Sequence, residues 1–366
     1  MNKIVFVTPS LKTGGGNRVF FELANCLLDE YGIEIIYPKN SDEGNTFNID
    51  PKIKIQTVGL KAKSKLQKVL NVRRTIRFVN RNYENTPIIV SDPILCLFIN
   101  SFQDKKNIYR FIQADDYCIF DNNHILNNII AKKIYKFMCK KSYKARVNYI
   151  FNSRFTYDSY INVSRRKDVL YKLVYPAVNH ETFYNMHNVS RDSGISICVV
   201  GRRHKLKGLK TFQSALEQLP EEYYKLITKI IIISHDDLSE FTFPKQVQII
   251  KPKSDTELAE YYNLANIFIS TSWWEGFGLP ALEAMCCGCA VITSDNKGCR
   301  EYAFDKKNCL FFEPKKTEEL VKCLKLLIES KELRENLASQ GEKDSFNFSW
   351  INSAKQLKEI LSGKKC

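Results

Sequence analysis

The sequence predicts an α/β protein of two domains, each built on a parallel sheet with helices on both faces. Three observations carry that prediction. Short apolar, β-rich runs alternate with amphipathic helical stretches along the chain. A strand running into a glycine-rich or basic loop and then a helix occurs twice, at 3–31 and at 195–219, as though the pattern restarts. The length of 366 residues suits about two domains.

Taken in order, Lys3–Thr8 reads as the first strand, followed by Pro9 through Gly16 and a helix from Asn17 to about Tyr31. Ile33–Tyr37, Ile53–Val58, Pro87–Ser91, Ile108–Ile112 and Val147–Phe151 continue as strands with helical stretches between them. Residues 176–194 lack periodicity and hold Pro176, Asn179, His180, His187, Asn188 and Ser190, which marks a linker. Strands resume at Ile195–Val200, Lys229–Ser234, Val247–Ile250, Ile267–Ser270 and Ala290–Thr293, and Asn308–Phe312 leads to Pro314. Helices are expected over Leu209–Leu219, Thr256–Leu264, Leu279–Cys287 and Lys316–Gln340, the last broken near Ser330, with a final helix in Phe346–Leu361. No internal repeat is visible in the residues themselves.

Hydrophobic residues make up 44% of the chain, enough for real cores, and no run approaches the ~18 apolar residues of a membrane span. The start is too quickly polar for a signal peptide, so the twelve cysteines are read as reduced core residues of a cytosolic protein. The net charge of +15 is uneven: residues 1–190 hold 29 Lys and Arg against 16 Asp and Glu, residues 191–366 hold 26 against 24. Lys61–Arg81 carries eight basic residues and no acidic one, and Lys132–Arg146 seven and none. Both also carry an apolar stripe, Leu66, Val69, Leu70, Ile76 and Val79 in one and Ile130, Ile134, Phe137 and Met138 in the other. The plain reading is a solvated basic face with the stripe turned to the core. The functional reading is a surface resting on anionic lipid. No nucleic-acid motif accompanies the charge, so nucleic acid is not an expected partner.

The chain is organised around Glu275-Gly276-Phe277-Gly278-Leu279-Pro280-Ala281-Leu282-Glu283. Gly276 and Gly278 free the backbone, Pro280 suits a first helical turn, and Gly288 stops the helix. The N–H groups of such a turn and the positive helix end favour a phosphate. Carboxylates beside a phosphate repel it, so Glu275 and Glu283 suit hydroxyl groups on either side. A diphosphate between a sugar and a ribose has that shape; the alternative is a helix start with two surface glutamates. Arg202 and Lys207, in the basic loop after the 195–200 strand, are placed to reach one phosphate group from two sides.

Gly201-Arg202 with Lys207-Gly208, Glu275 through Glu283, and Asp295, Gly298 and Glu301 together resemble glycosyltransferase family 4, over most of the C-terminal half. Gly14-Gly15-Gly16-Asn17-Arg18-Val19, Ser153 at a helix start, and Pro176-Ala177-Val178-Asn179 with Phe183 extend the likeness to the N-terminal half. The resemblance implies the GT-B fold, two Rossmann-like domains facing across a cleft. Residues 1–178 would form the acceptor-side domain, 179–194 the linker, 195–345 the donor domain, and 346–366 a helix crossing back toward the first domain.

It also implies a retaining transferase that moves a sugar from a nucleotide donor to a glycan or lipid-linked acceptor. By position, Arg202 and Lys207 hold the diphosphate, and Glu275 meets the sugar hydroxyls from the Glu275-Gly276-Phe277-Gly278 turn. Gly278 and Leu279 amides meet the phosphate, Glu283 takes the ribose diol, and Gly15 and Gly16 let the first domain's backbone approach the donor. Arg202, Lys207 and Glu275 are the expected catalytic set. No Asp-x-Asp metal clamp occurs in the sequence, and two cations stand in its place, so neither metal nor cofactor is expected.

Many relatives have His-Asp after the strand near Ile112, where this chain reads Phe111-Ile112-Gln113-Ala114-Asp115-Asp116-Tyr117. Gln113, Asp115 and Asp116 are therefore candidates for the sugar or acceptor, against a solvated loop. The Gln-for-His pattern, with Gly298-Cys299-Arg300-Glu301-Tyr302-Ala303 and Asn17-Arg18-Val19, is similar to rhamnosyltransferase-like members that build bacterial surface polysaccharide. The expected location is the cytoplasm, with the inner face of the plasma membrane as a candidate contact. Two other readings are a nucleotide-sugar epimerase of the same shape, which needs acid/base residues where only five His exist, and a basic membrane- or RNA-binding module.

Overall fold

Runs such as Ile108–Ile112 and Ala290–Ser294 are buried at every position, which only strands covered on both faces allow. The structure, a computed structural model, describes residues 2–11, 15–40, 49–99, 106–121, 128–187, 194–244 and 246–363. Contacts divide the chain into two units, one holding Met1–Asp121, Ile125–Ala177 and Trp350–Cys366, the other Val178–Ser349.

In the first unit the elements are β1 (Lys3–Val7), α1 (Gly15–Leu27), β2 (Gly32–Pro38), β3 (Lys54–Val58), α2 (Lys65–Asn82), β4 (Ile88–Val90), α3 (Pro93–Cys96), β5 (Ile108–Ile112), α4 (Ile129–Ser142), β6 (Asn148–Phe151) and α5 (Arg154–Ser164). Among the described residues they form one six-stranded sheet, ordered β3-β2-β1-β4-β5-β6, with every neighbouring pair parallel. One face packs Ile4, Phe6 and Ile35 against Phe20, Leu23 and Leu27 of α1. The other packs Val5, Val7 and Ile36 against Val72, Ile76 and Val79 of α2. Each such aliphatic group contributes about 1.5–3 kcal/mol when fully buried. Helix α1 stops at Leu27, short of the Tyr31 expected, because Asp29 and Glu30 oppose the negative end of the helix dipole and Gly32 begins the next strand. Ser153 opens α5 as expected, its hydroxyl accepting from Thr156 N at 3.2 Å.

The second unit comprises β7 (Ile195–Val200), α6 (Leu209–Gln218), α7 (Glu221–Tyr224), β8 (Ile227–Ile233), β9 (Val247–Ile250), α8 (Asp255–Asn263), β10 (Ile267–Ser270), α9 (Leu279–Cys286), β11 (Ala290–Ser294), β12 (Leu310–Phe312), α10 (Thr317–Glu329) and α11 (Lys331–Ser345). Its described strands form a second six-stranded parallel sheet, ordered β12-β11-β10-β7-β8-β9. The helical break expected near Ser330 is there: Ser330 ends α10 and caps α11, accepting from Leu333 N at 3.1 Å. The last helix, α12 (Trp350–Leu361), belongs to the first unit, where Trp350, Ala354, Leu357 and Ile360 join the core beside α1. The chain enters and leaves the second unit at Val178 and Ser349, which pair with one another.

The basic helices differ from a basic face with a core-facing stripe. In α4 the stripe is turned outward, with Ile130 70%, Ile134 55% and Phe137 68% exposed, while Cys139 and Ser142 face in. In α2 the stripe divides: Ile76 and Val79 are buried, Leu66, Val69 and Leu70 exposed. No described helix is long and apolar enough to cross a membrane.

Candidate functional site

In a doubly wound sheet, ligands bind beyond the carboxyl ends of the strands where the strand order reverses. In the second unit that point lies between β7 and β10, and the loops after these two strands carry Arg202, Lys207 and Glu275.

The loop after β7 is shaped by two glycines. A Cβ on Gly201 would stand 2.7 Å from Ile232, and one on Gly208, at φ +65°, would stand 2.0 Å from the Thr271 carbonyl oxygen. Gly208 thus closes the 3-10 turn Lys205–Lys207 and opens α6 against the neighbouring loop. Two further bonds join the loops: Thr271 Oγ1 donates to the Lys207 carbonyl at 2.9 Å, and Trp273 N to the Leu206 carbonyl at 2.7 Å. Held this way, Lys207 Nζ donates to Glu275 Oε1 at 2.5 Å. Arg202 Nε donates at 2.9 Å to Asp236 Oδ2, which also accepts from Arg203 N at 2.8 Å. Burial alone would raise the Asp236 carboxyl, but the bonds from Arg202 and Arg203 outweigh it and hold it below the ordinary carboxylate range.

The turn before α9 is anchored from below. Glu275 N donates to the Asn296 carbonyl at 3.0 Å, and Tyr302 Oη to the Gly278 carbonyl at 2.6 Å, while Gly278 sits at φ +93°. The loop after β11 packs so closely that a Cβ on Gly298 would lie 2.4 Å from the Glu275 carbonyl oxygen. In the same loop Asp295 binds Arg300 through Nε at 2.8 Å and Nη2 at 2.5 Å, and Lys297 at 3.0 Å. Lys297 takes φ +72°, a left-handed value uncommon for a side chain of its size. Phe277 is buried beside the Tyr302 and Phe348 rings.

Glu283 lies within α9, 4% exposed, and accepts from Tyr262 Oη at 3.3 Å. The structure therefore brings together Lys207, Glu275 and the Gly276–Gly278 turn, gives Arg202 a carboxylate of its own, and sets Glu283 inside its helix. Asp236 is the partner that sequence reasoning missed; its place just beyond β8, at the carboxyl end of a strand next to β7, is the signal that could have found it.

In the first unit, Gly15 and Gly16 open α1; Gly14 lies outside the described residues, as do 188–193 of the expected linker. Gln113 Nε2 donates to the Gly16 carbonyl at 3.1 Å, and its Oε1 is buried without a hydrogen-bond partner among the described residues. Asn17 accepts from Thr8 Oγ1 at 2.7 Å and donates to the Ser10 carbonyl at 3.2 Å, tying the end of β1 to α1. Asp115 Oδ1 accepts from Cys118 N at 3.2 Å. Asp116 is turned inward, Oδ2 lying 2.5 Å from Nη2 of the fully buried Arg110. Burial pushes the Asp116 carboxyl up to about 6, against the lowering pull of Arg110 and with Asp92 adding to the rise.

Residues 185–344 match the sequence profile of the family described as "Glycosyl transferases group 1". An α-1,3-N-acetylgalactosaminyltransferase of Campylobacter jejuni, named for a diacetylbacillosaminyl-diphospho-undecaprenol acceptor, is 22% identical over 66% of this chain and 66% of its own. The first curated relatives are matched over 45%, 66% and 41% of their lengths. Sucrose-phosphate synthase from Thermosynechococcus elongatus superposes over 99% of both chains with a TM-score of 0.82 at 16% identity. Anabaena HepE in complex with UDP-glucose does so over 99% of both chains with a TM-score of 0.74 at 16% identity. These neighbours establish the fold as GT-B, as the sequence resemblance implied.

Proposed function

We propose, from the match of residues 185–344 to the profile of the group 1 glycosyl transferases, that this protein is a retaining, metal-independent glycosyltransferase. It moves a sugar from a nucleotide donor to a glycan or lipid-linked saccharide in the synthesis of cell-surface polysaccharide, as a rhamnosyltransferase-like member of family 4. The observation that carries this reading is the pairing of Lys207 with Glu275 at the switch point of the second sheet, with Arg202 on the same loop.

Both cations hold carboxylates and are partly exposed, Lys207 at 37% and Arg202 at 47%, so these contacts are worth little in place and exchange readily for a phosphate. Breaking the anomeric bond leaves negative charge on the departing diphosphate, which Arg202 and Lys207 stabilise as it grows. Glu275, released from Lys207, accepts hydrogen bonds from the sugar hydroxyls, and Glu283 serves the ribose diol. The acceptor attacks on the face the diphosphate leaves, and the leaving phosphate takes its proton. Of the acceptor-side candidates, Asp116 is committed to Arg110, which leaves Gln113, with its unpartnered Oε1, and Asp115.

The UDP-glucose complex of the Anabaena neighbour and the undecaprenol acceptor in the Campylobacter relative's name support a nucleotide-sugar donor and a lipid-linked acceptor. The inner face of the plasma membrane is the matching location. Thermal shift against UDP-, GDP- and dTDP-sugars tests the donor, since a ligand at 100 times its Kd adds about 2.7 kcal/mol. Transfer is then assayed in chelator, with the product anomer read by NMR. Inversion, or activity lost in chelator and restored by Mg²⁺, contradicts the reading.

A further inference from the structure

Helix α4 is amphipathic in the reverse of the usual sense. Residues spaced at three and four, Ile130, Ile134 and Phe137, share its outer face, at 55–70% exposure, while Cys139 and Ser142 are buried. Ile129, 70% exposed, lies one residue before Ile130. Lys133, Lys140 and Lys141 flank the apolar stripe, and none has a salt bridge among the described residues. Lys136, on the inner side, is spent on Asp121 at 2.5 Å and on the Tyr117 ring. Helix α2 repeats the arrangement in its first turns, where Leu66 is 70%, Val69 45% and Leu70 39% exposed between Lys65, Lys68 and Arg73. Both helices pack against α3.

We infer that the outer face of α4, aided by the first turns of α2, inserts into an anionic lipid bilayer. Large exposed apolar side chains are costly in water and mark a docking surface. The charge decides the occupant. Two stretches with eight and seven basic residues and no acidic one would repel a second copy of themselves, whereas they complement anionic headgroups. The isoleucines and Phe137 enter the acyl boundary, and the lysines remain at headgroup level. The inference rests on the membrane location proposed above and sharpens it by naming the element that enters the lipid.

The test is co-sedimentation of the full chain with vesicles of phosphatidylcholine alone and of phosphatidylcholine with 30% phosphatidylglycerol, about the composition that gives a strong surface potential. Binding to the anionic vesicles only is expected. Ile134→Ser with Phe137→Asp lowers partitioning about tenfold or more. Lys133→Gln, Lys140→Gln and Lys141→Gln lower it about fivefold each, an effect that added salt mimics. Because these side chains are exposed, the variants keep the melting temperature of the wild type and its thermal response to nucleotide-sugar. A protein that responds to no nucleotide-sugar yet binds vesicles ends the transferase reading and leaves this one standing. Equal binding to both vesicle types, binding untouched by the variants, or a dimer that Phe137→Asp dissolves overturns the inference.

Discussion

The two units share one strand order. Counting each from its own first strand, both sheets run third, second, first, fourth, fifth, sixth, yet their switch points differ in chemistry. In the second unit the loops after the first and fourth strands meet through a lysine and a glutamate that are partly open to solvent. In the first, Gly15 and Gly16 open the helix that follows the first strand, and the Gly16 carbonyl accepts from the amide of Gln113. The loops after the fifth strands show the same inversion. Asp116 meets an arginine with no exposure at all, whereas Asp295 holds Arg300, whose side chain is 57% exposed. A buried pair fixes shape, because either charge left alone in the interior is expensive. An exposed pair holds its partners weakly and leaves them available to a ligand. One frame thus gives a unit with a buried, fixed ion pair and a unit with exchangeable charge.

The largest effect that sharpens this contrast is expected in the first unit. Asp116→Ala strands the Arg110 guanidinium and costs about 3–5 kcal/mol in denaturant unfolding. A loss under about 1 kcal/mol would mean that the pair is dispensable and break the comparison. The pH response adds a sign. Folding raises the Asp116 carboxyl from 3.8 to about 6, so its contribution is full below 3.8 and is lost as pH rises through about 6. Wild type therefore loses stability relative to Asp116→Asn over that window.

Next comes Lys207→Ala in the second unit, expected to lower kcat by about 10²–10³-fold, roughly 2.7–4 kcal/mol, if Lys207 meets the developing charge. Stability should move by less than about 1 kcal/mol, since the lost pair is partly exposed. Glu275→Gln should also slow turnover; full activity in that variant removes Glu275 from the mechanism. The smallest effect is at Gly298. Its new methyl group must push the Glu275 backbone aside, at a cost of about 1–3 kcal/mol and some activity. An unchanged Gly298→Ala would show that the loop after β11 does not hold the Glu275 turn in place.

Much of the fold was legible because parallel strands buried on both faces leave near-continuous apolar runs, and Ile195–Val200 and Ile267–Ser270 fall where those runs predict. The Glu275 turn was legible through its glycines and Pro280. Other features were not. Arg110 sits mid-strand with nothing local to announce a buried ion pair. Asp236 is 34 residues from Arg202. The shared strand order of the two units was invisible as a repeat, because topology constrains burial rather than residue identity. For α4, periodicity showed that a stripe exists but could not show which way it faces.

The sequence by itself determined the two parallel-sheet units, the order of their elements and the loops that carry charge, since periodicity and glycine placement act locally. Tertiary structure alone decided which carboxylate meets which cation, that Asp116 and Glu283 turn inward, and that Ile130, Ile134 and Phe137 turn outward. Those outcomes depend on neighbours distant along the chain, and a side chain's surroundings exist only once the sheets have assembled around it.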